Sequence, residues 1–304
     1  MTITRMKAFI TGGTGQVGTE LVRRADSWNL DIVAPNRAEL NLLDETEVYT
    51  QLDQTRPDIV VNSAAFTAVD AAETESDAAF KVNRDAARIV ADSCKQLSIP
   101  IIHLSTDYVF DGTKVGTYDE SDLICPIGVY GKSKEAGEVA VREISGKHVI
   151  LRTSWVYAAH GNNFVKTMLR IGEERQNLNV VNDQFGTPTF AGEIADAIFS
   201  IANQVLGHNT SQFWGTYHYT AKGWTTWKDF AEVIFEKAST WLSNKPHVEG
   251  IPSSQYPTAA KRPPNSVLNC SKIDLKFRPP RRHWQEGLDE VLSELKNEMN
   301  KQIT

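Results

Sequence analysis

Lys7-Ala-Phe-Ile-Thr11 runs directly into Gly12-Gly-Thr-Gly-Gln-Val-Gly18, and this junction decides the fold. The first run is short and mostly apolar. The residues after it, Thr19-Glu-Leu-Val-Arg-Arg-Ala25, extend a helical stripe of Val17, Leu21, Val22 and Ala25. The order is strand, glycine turn, helix. The turn fits two templates, Gly13-x-Gly15-x-x-Gly18 and Gly12-x-x-Gly15-x-x-Gly18. In either, one glycine makes the tight turn, one lets backbone N–H groups approach a pyrophosphate, and one lets the helix pack closely on the strand. A bare glycine pattern is weak, but the strand-to-helix context makes dinucleotide binding the expectation.

Further along, strand and helix patterns alternate as a doubly wound parallel sheet requires. Asp31-Ile-Val-Ala34 reads as a second strand, followed by a helix over Glu45 to Gln54. Pro57 to Ala65 reads as a third strand ending in the small residues Asn62, Ser63, Ala64 and Ala65. Glu73 to Leu97 reads as one long amphipathic helix, with Asn83 on or near its buried stripe and therefore needing a partner. Ile99 to Ser105 is a fourth strand, and His148 to Thr153 a fifth. Residues 1–155 are thus expected to form a Rossmann-like α/β domain. A smaller lobe is expected mainly from 156–304, with segments of roughly 183–220 returning to the sheet. Helices are expected over 163–174, 190–202, 227–240 and 283–300, and strands over 178–181 and 215–220.

The chain's 304 residues carry 32 Lys plus Arg against 38 Asp plus Glu, a net charge of −6, which argues against a general nucleic-acid binder. Three cysteines, Cys94, Cys125 and Cys270, have no paired spacing and fit a reducing compartment. No apolar run approaches spanning length, and the N-terminal stretch lacks a leader's long apolar region. A cytoplasmic protein with no membrane partner is the expectation. Oligomeric state is left open, with a homodimer among the expectations.

The chemistry gathers at the carboxyl end of the fourth strand, where ligands bind in such sheets. Ser105, Thr106 and Asp107 stand there, and a hydroxyl in that place polarises a carbonyl. Tyr130 and Lys134 follow on a helix, four residues apart and on one face. An ammonium close to a phenol favours the phenolate, so Lys134 is expected to lower the Tyr130 pKa. Alone, such a pair is more often a solvated helix face. An NAD-selective site puts an acid at the end of the second strand, but this chain has Asn36 and Arg37. Arg37 facing a 2′-phosphate favours NADPH over NADH; a surface arginine is the competing reading.

Together, the glycine turn, Thr106 and the Tyr130/Lys134 pair resemble the extended branch of the short-chain dehydrogenase/reductase family. STDYVFDG (105–112), VYGKSK (129–134), RTSWVY (152–157), GNNFVKTMLR (161–170), NDQFGTPT (182–189) and RPPNS (262–266) are similar to the dTDP-4-dehydrorhamnose reductase family within it. The resemblance spans the chain and implies NAD(P)H-dependent reduction of the C4 ketone of dTDP-4-dehydro-L-rhamnose to dTDP-L-rhamnose. It implies Tyr130 as proton donor, Thr106 as a second hydrogen bond to the ketone oxygen, and Lys134 on the nicotinamide ribose. Gly12, Gly15, Gln16, Val17 and Gly18 would line the pyrophosphate, Ala65, Phe66 and Thr67 would lie along the cofactor, and Asn41 and Leu42 near the adenine. Asp107 and Trp155 match positions that touch the sugar, and Arg262 is a bidentate partner for the diphosphate.

Two departures from the family pattern stand out. Residue 41 is usually Asp in the family and is Asn here, again favouring NADPH. Some members bind magnesium through glutamates. Glu20 matches one such position, but another falls on Gly192, with Glu193 one place along and so turned by about 100°. A Mg²⁺ requirement is therefore in doubt, and Glu20 by itself reads as a solvated helix residue. Rival readings are a nucleotide-sugar 4-epimerase or other 4-ketoreductase, a 4,6-dehydratase, or a non-catalytic NADP-binding regulatory subunit like that of methionine adenosyltransferase. The dehydratase pattern of Asp-Glu after the strand-end Thr fails at Asp107-Tyr108.

Overall fold

A computed structural model describes residues 5–207 and 211–303; the start of the N-terminal stretch read above for a leader lies outside the described residues. The first half builds β1 (Met6–Thr11), α1 (Gln16–Arg24), β2 (Leu30–Val33), α2 (Glu45–Thr55) and β3 (Ile59–Asn62). It continues with α3 (Val69–Ala72), α4 (Ser76–Phe80), α5 (Ala87–Gln96), β4 (Ile101–Thr106), α6 (Val129–Ile144) and β5 (His148–Thr153). The second half adds β6 (Val156–Tyr157), α7 (Phe164–Glu174), β7 (Asn177–Val181), β8 (Phe185–Gly186), β9 (Thr189–Phe190) and α8 (Ala191–Gly207). It ends with β10 (Gly215–His218), β11 (Thr225–Thr226), α9 (Trp227–Ala238), β12 (His247–Ile251), α10 (Ser271–Lys276) and α11 (Trp284–Ile303).

Six strands form one sheet in the order β10-β5-β4-β3-β1-β2, every pair parallel. Parallel strands need helical crossovers, so both faces are covered and the strands are apolar on both sides. The side-chain period of two sorts them. Ala8, Ile10, Ile59, Val61, Ile102, Leu104, Val149 and Leu151 pack with α1 and α8. Phe9, Val60, Ile101 and Ile150 pack with α2, α5 and α6. The strand order reverses between β1 and β3, which opens a crease at their carboxyl ends. A third cluster unites α7, α9, α11, β7 and β12 away from the sheet. Strand β10 and helix α8 return from the second half to the sheet. No helix among the described residues is long and apolar enough to cross a membrane.

Two elements differ from expectation. The helix expected over 73–97 starts only at Ser76, and a π-helical turn over Lys81–Ala86 joins α4 to α5. Asn83 and Ala86, three residues apart, are both buried in this turn. The Pro- and Lys-rich region 243–280 contains β12, paired in parallel with β7, and α10.

Between α6 and the sheet lies a buried ion pair. Arg152 on β5 donates to both carboxylate oxygens of Glu138, at 2.8 and 2.6 Å, with both side chains almost fully buried. Ser105 on β4 adds a hydrogen bond at 2.5 Å and Arg142 one at 2.8 Å. Burial opposes ionisation of Glu138, yet the bonds and charge of Arg152, helped by Ser105 and Arg142, outweigh it and hold the carboxyl at about 2. A depressed carboxyl contributes stability that is present above its unfolded value and lost as pH falls through the folded one. Glu138→Gln is therefore expected to destabilise the fold by about 3–5 kcal/mol at pH 7 in urea titrations. The difference from wild type should shrink as pH drops from 4.5 toward 2.

Candidate active site

The glycine turn forms one wall of the crease. Gly12 has φ +72°, and a Cβ there would lie 2.6 Å from the Ala64 nitrogen at the end of β3. A Cβ on Gly18 would lie 2.1 Å from the Gly12 carbonyl oxygen, so only glycine lets α1 start this close to the turn. Gly15 is the N-cap of α1 and carries no capping side chain, which leaves first-turn N–H groups and the positive helix end facing the crease. The Gln16 side chain is engaged elsewhere: its oxygen accepts from Asn163 at 3.0 Å, and its backbone carbonyl meets His160 Nε2 at 3.0 Å. The turn is thereby fastened to the segment after β6. This cradle fits a dinucleotide pyrophosphate.

At the adenine end, Arg37 is exposed and makes no side-chain hydrogen bond or ion pair with any described residue. Asn41 shapes its own loop: its side-chain oxygen accepts the Leu43 N–H at 3.1 Å, and its N–H donates to Glu47 at 3.2 Å. Leu42 packs half-buried against the cluster on α2. Beyond β3, the segment Ala65-Phe66-Thr67 is fixed by Asn83. The Phe66 N–H donates to Asn83 Oδ1 at 2.8 Å, and Asn83 Nδ2 donates to the Phe66 carbonyl at 3.1 Å and to Ser133 Oγ at 2.9 Å. Ser133 Oγ in turn donates to the Tyr130 carbonyl at 2.8 Å. One buried amide thus ties the β3 loop to α6. A second tie comes from Glu73, whose carboxylate accepts the Val129 N–H at 2.8 Å and caps α6 from outside.

Thr106 and Tyr130 come together. The Thr106 hydroxyl donates to Asp107 Oδ1 at 2.9 Å, accepts the Tyr108 N–H at 3.2 Å, and stands near enough to the Tyr130 phenol to favour its ionised form. The Tyr108 ring stands edge-on to Tyr130, centroids 5.8 Å apart. Lys134 is buried one turn along α6 and donates to the Leu104 carbonyl at 2.6 Å. Ser105 is not available to a carbonyl, because the strand's alternation turns it to Glu138.

The electrostatics differ from expectation in one sign. Burial pushes the Tyr130 phenol up to about 12, against the Thr106 hydrogen bond, which favours the phenolate. Lys134 does not set this value, since its ammonium is turned to Leu104. Burial itself draws Lys134 down to about 8, with Glu138 opposing. A phenol raised in this way keeps its proton throughout the neutral range and is fit to donate it.

On the opposite side, Trp155 has φ +47° and stacks flat on Trp227, centroids 3.4 Å apart and planes at 4°. Arg262 does not stand free for an anion. It is paired bidentately with Asp70, at 3.2 and 2.6 Å, and this bond holds the Asp70 carboxyl below its usual range in spite of partial burial. The sequence singled out neither Asp70 nor Glu73, whose partners lie 192 and 56 residues away. Asn83 did carry a signal, a polar side chain on an apolar stripe.

Glu20 is buried, not solvated. Its oxygens accept from Arg23 at 3.1 Å and Arg24 at 3.0 Å, and His160 stands 3.5 Å away. Arg24 also pairs with Asp196 and Glu290, and Arg282 with Glu193 and Glu290. Guanidinium groups already neutralise these carboxylates, so they do not fit a magnesium ion. No grouping of three metal-binding side chains occurs among the described residues.

The chain matches the family model described as the RmlD substrate binding domain over residues 6–297. It is 41% identical over 288 residues to the dTDP-4-dehydrorhamnose reductase of Aggregatibacter actinomycetemcomitans, covering 94% of this chain and 98% of that one. With the Escherichia coli K12 enzyme of the same name, identity is 42% over 297 residues, covering 95% and 98%. The solved dTDP-4-dehydrorhamnose reductase of Bacillus anthracis, in complex with NADP, superimposes with a TM-score of 0.88 at 36% identity, covering 96% of this chain and all of that one.

Asn83→Ala is expected to cost about 3 kcal/mol, because it strands the Phe66 N–H and carbonyl as well as removing three bonds. Chemical denaturation measures that loss. Fluorescence titration should show weaker binding of nicotinamide dinucleotide in the folded variant.

Proposed function

The chain belongs to the dTDP-4-dehydrorhamnose reductase family, and on that premise we propose that it reduces the C4 ketone of dTDP-4-dehydro-L-rhamnose to dTDP-L-rhamnose with NADPH or NADH. The observation that carries this reading is the meeting of Thr106 and Tyr130 at the carboxyl end of β4, beside the glycine cradle. The nicotinamide, when bound, supplies the hydride. As the ketone carbon gains it, negative charge grows on oxygen, and Tyr130 transfers its phenolic proton to that atom. Thr106 gives the same oxygen a second, preorganised hydrogen bond. Lys134, buried on the same face of α6, holds the nicotinamide ribose.

Gly12, Gly15, Gln16, Val17 and Gly18 receive the pyrophosphate through first-turn N–H groups. Ala65, Phe66 and Thr67 lie along the cofactor, Asn41 and Leu42 near the adenine, and Arg37, unpaired at the end of β2, faces a 2′-phosphate. Asp107 and Trp155 approach the sugar. Arg262 exchanges Asp70 for a diphosphate oxygen, keeping one bidentate anion partner in both states. In this reading, residues 1–155 with β10 and α8 serve the cofactor and the remainder of 156–304 the substrate. A cytoplasmic homodimer is the assembly we carry forward, to be checked by light scattering.

Following NADPH oxidation with dTDP-4-dehydro-L-rhamnose tests the proposal. Wild type should turn over, and Tyr130→Phe should lose about 10²–10⁴-fold in kcat. Full activity in the variant would remove Tyr130 as donor, and an inactive wild type with either cofactor would point to a regulatory subunit.

A further inference from the structure

Thr106 has a single hydroxyl proton, and Asp107 holds it. The Thr106 hydroxyl donates to Asp107 Oδ1 at 2.9 Å while one of its lone pairs takes the Tyr108 N–H at 3.2 Å. A donor committed to a carboxylate does not point at a ketone oxygen, so the carboxylate must release Thr106 for the proposed chemistry to run. Asp107 is itself only 2% exposed, and its Oδ2 has no hydrogen-bond partner. No lysine, arginine or histidine among the described residues forms an ion pair with it. The groups that face it are the phenols of Tyr108 and Tyr130, the hydroxyls of Thr106 and Ser266, and the backbone N–H groups of Asp107 and Tyr108. Arg262 reaches Tyr108 from the far side but is held by Asp70, and Lys134 is turned to the Leu104 carbonyl. A buried carboxylate without a cation is costly, and such a group neutralises instead.

We propose that Asp107 enters the reaction as the neutral acid, a positioning residue that turns the Thr106 hydroxyl toward the substrate's ketone oxygen. The protonated carboxyl donates to the second lone pair of Thr106 Oγ1, whose own proton is then free to rotate to the substrate. Asp107 keeps its proton throughout; the proton that ends on the product oxygen comes from Tyr130. The inference rests on the reductase reading and adds to it the charge state of a group one residue from Thr106. Burial, against the Ser266 and Thr106 hydroxyls, pushes the Asp107 carboxyl up to about 7, which agrees with this geometry.

Two measurements test it, and the first needs no substrate. In the full-length protein labelled with [4-¹³C]aspartate, the resonance missing from Asp107→Asn belongs to Asp107; Asp107→Ser supplies the same assignment should the first variant fail to fold. That resonance is expected to titrate near pH 7, where ordinary aspartates titrate near ~4. A resonance that stays ionised down to pH 5 overturns the proposal. In the second, wild-type kcat/KM should fall about fourfold between pH 5.5 and 7.5 as Asp107 ionises. Asp107→Asn, whose amide N–H stands in for the neutral acid, should give a flat profile over that window at whatever absolute rate it retains. A variant that keeps the wild-type fall assigns it to another group and overturns the proposal. A wild type with no activity counts against the reductase reading, and the resonance then decides the state of Asp107 alone.

Discussion

Everything at the active site hangs on the ion pair buried beneath it. Glu138 receives Arg152 from β5, Ser105 from β4 and Arg142 from its own helix, and Arg152 also reaches His218 on β10 at 3.4 Å. An apolar pair of the same volume would stabilise the fold as well or better, so net energy is a poor account of this contact. Its directionality is the better one. Bidentate geometry fixes both the rotation of α6 and its height over the sheet. Tyr130, Lys134 and Glu138 are spaced by four residues and share one face of that helix. Fixing the third therefore fixes the other two against the end of β4.

The N-terminal end of the same helix is fixed by groups it does not own. Glu73 caps it, and Asn83 reaches Ser133 from the π-helical turn. A Cβ on Gly137 would lie 2.1 Å from the Asn83 carbonyl oxygen, so helix and turn meet backbone to backbone. Asn83 is buried in that turn. Its bonds couple the loop at Phe66 to the helix that carries Tyr130, two parts of the site that come from different crossovers.

The sheet was legible because apolar runs of four to six residues, each followed by a helical stripe, leave few alternatives to parallel pairing. The Gly12–Gly18 turn was legible because its glycine spacing is itself a pattern, even though only Gly15 and Gly18 meet the turn and Gly12 meets Ala64 beyond β3. What escaped was set by distant partners. Glu20 lies on a short helix rich in charge and reads as solvated only if water is taken to be its partner; Arg23, Arg24 and His160 take that place. Arg262 looked like a free anion receptor because Asp70, 192 residues earlier, is invisible to local pattern. Strand β12 escaped within a Pro- and Lys-rich region because, among the described residues, it pairs with β7 alone.

The same distinction explains the electrostatics. Spacing on a helix brings Lys134 near Tyr130, and Coulomb's law alone predicts a lowered phenol pKa. Spacing does not report desolvation, which acts on each group separately and favours its neutral form. Tyr130 and Asp107 are raised and Lys134 is lowered for this one reason. The result is a pocket whose phenol stays neutral while Lys134 still carries most of its charge near neutral pH. For a reduction this is an advantage over a phenolate, which has no proton to give. On the proposed mechanism, an oxygen that gains negative charge in this low-dielectric space draws stronger bonds from the Tyr130 and Thr106 hydroxyls as the charge grows. Their bonds to a neutral ground-state ketone stay weak, so their energy is concentrated in the step that needs it.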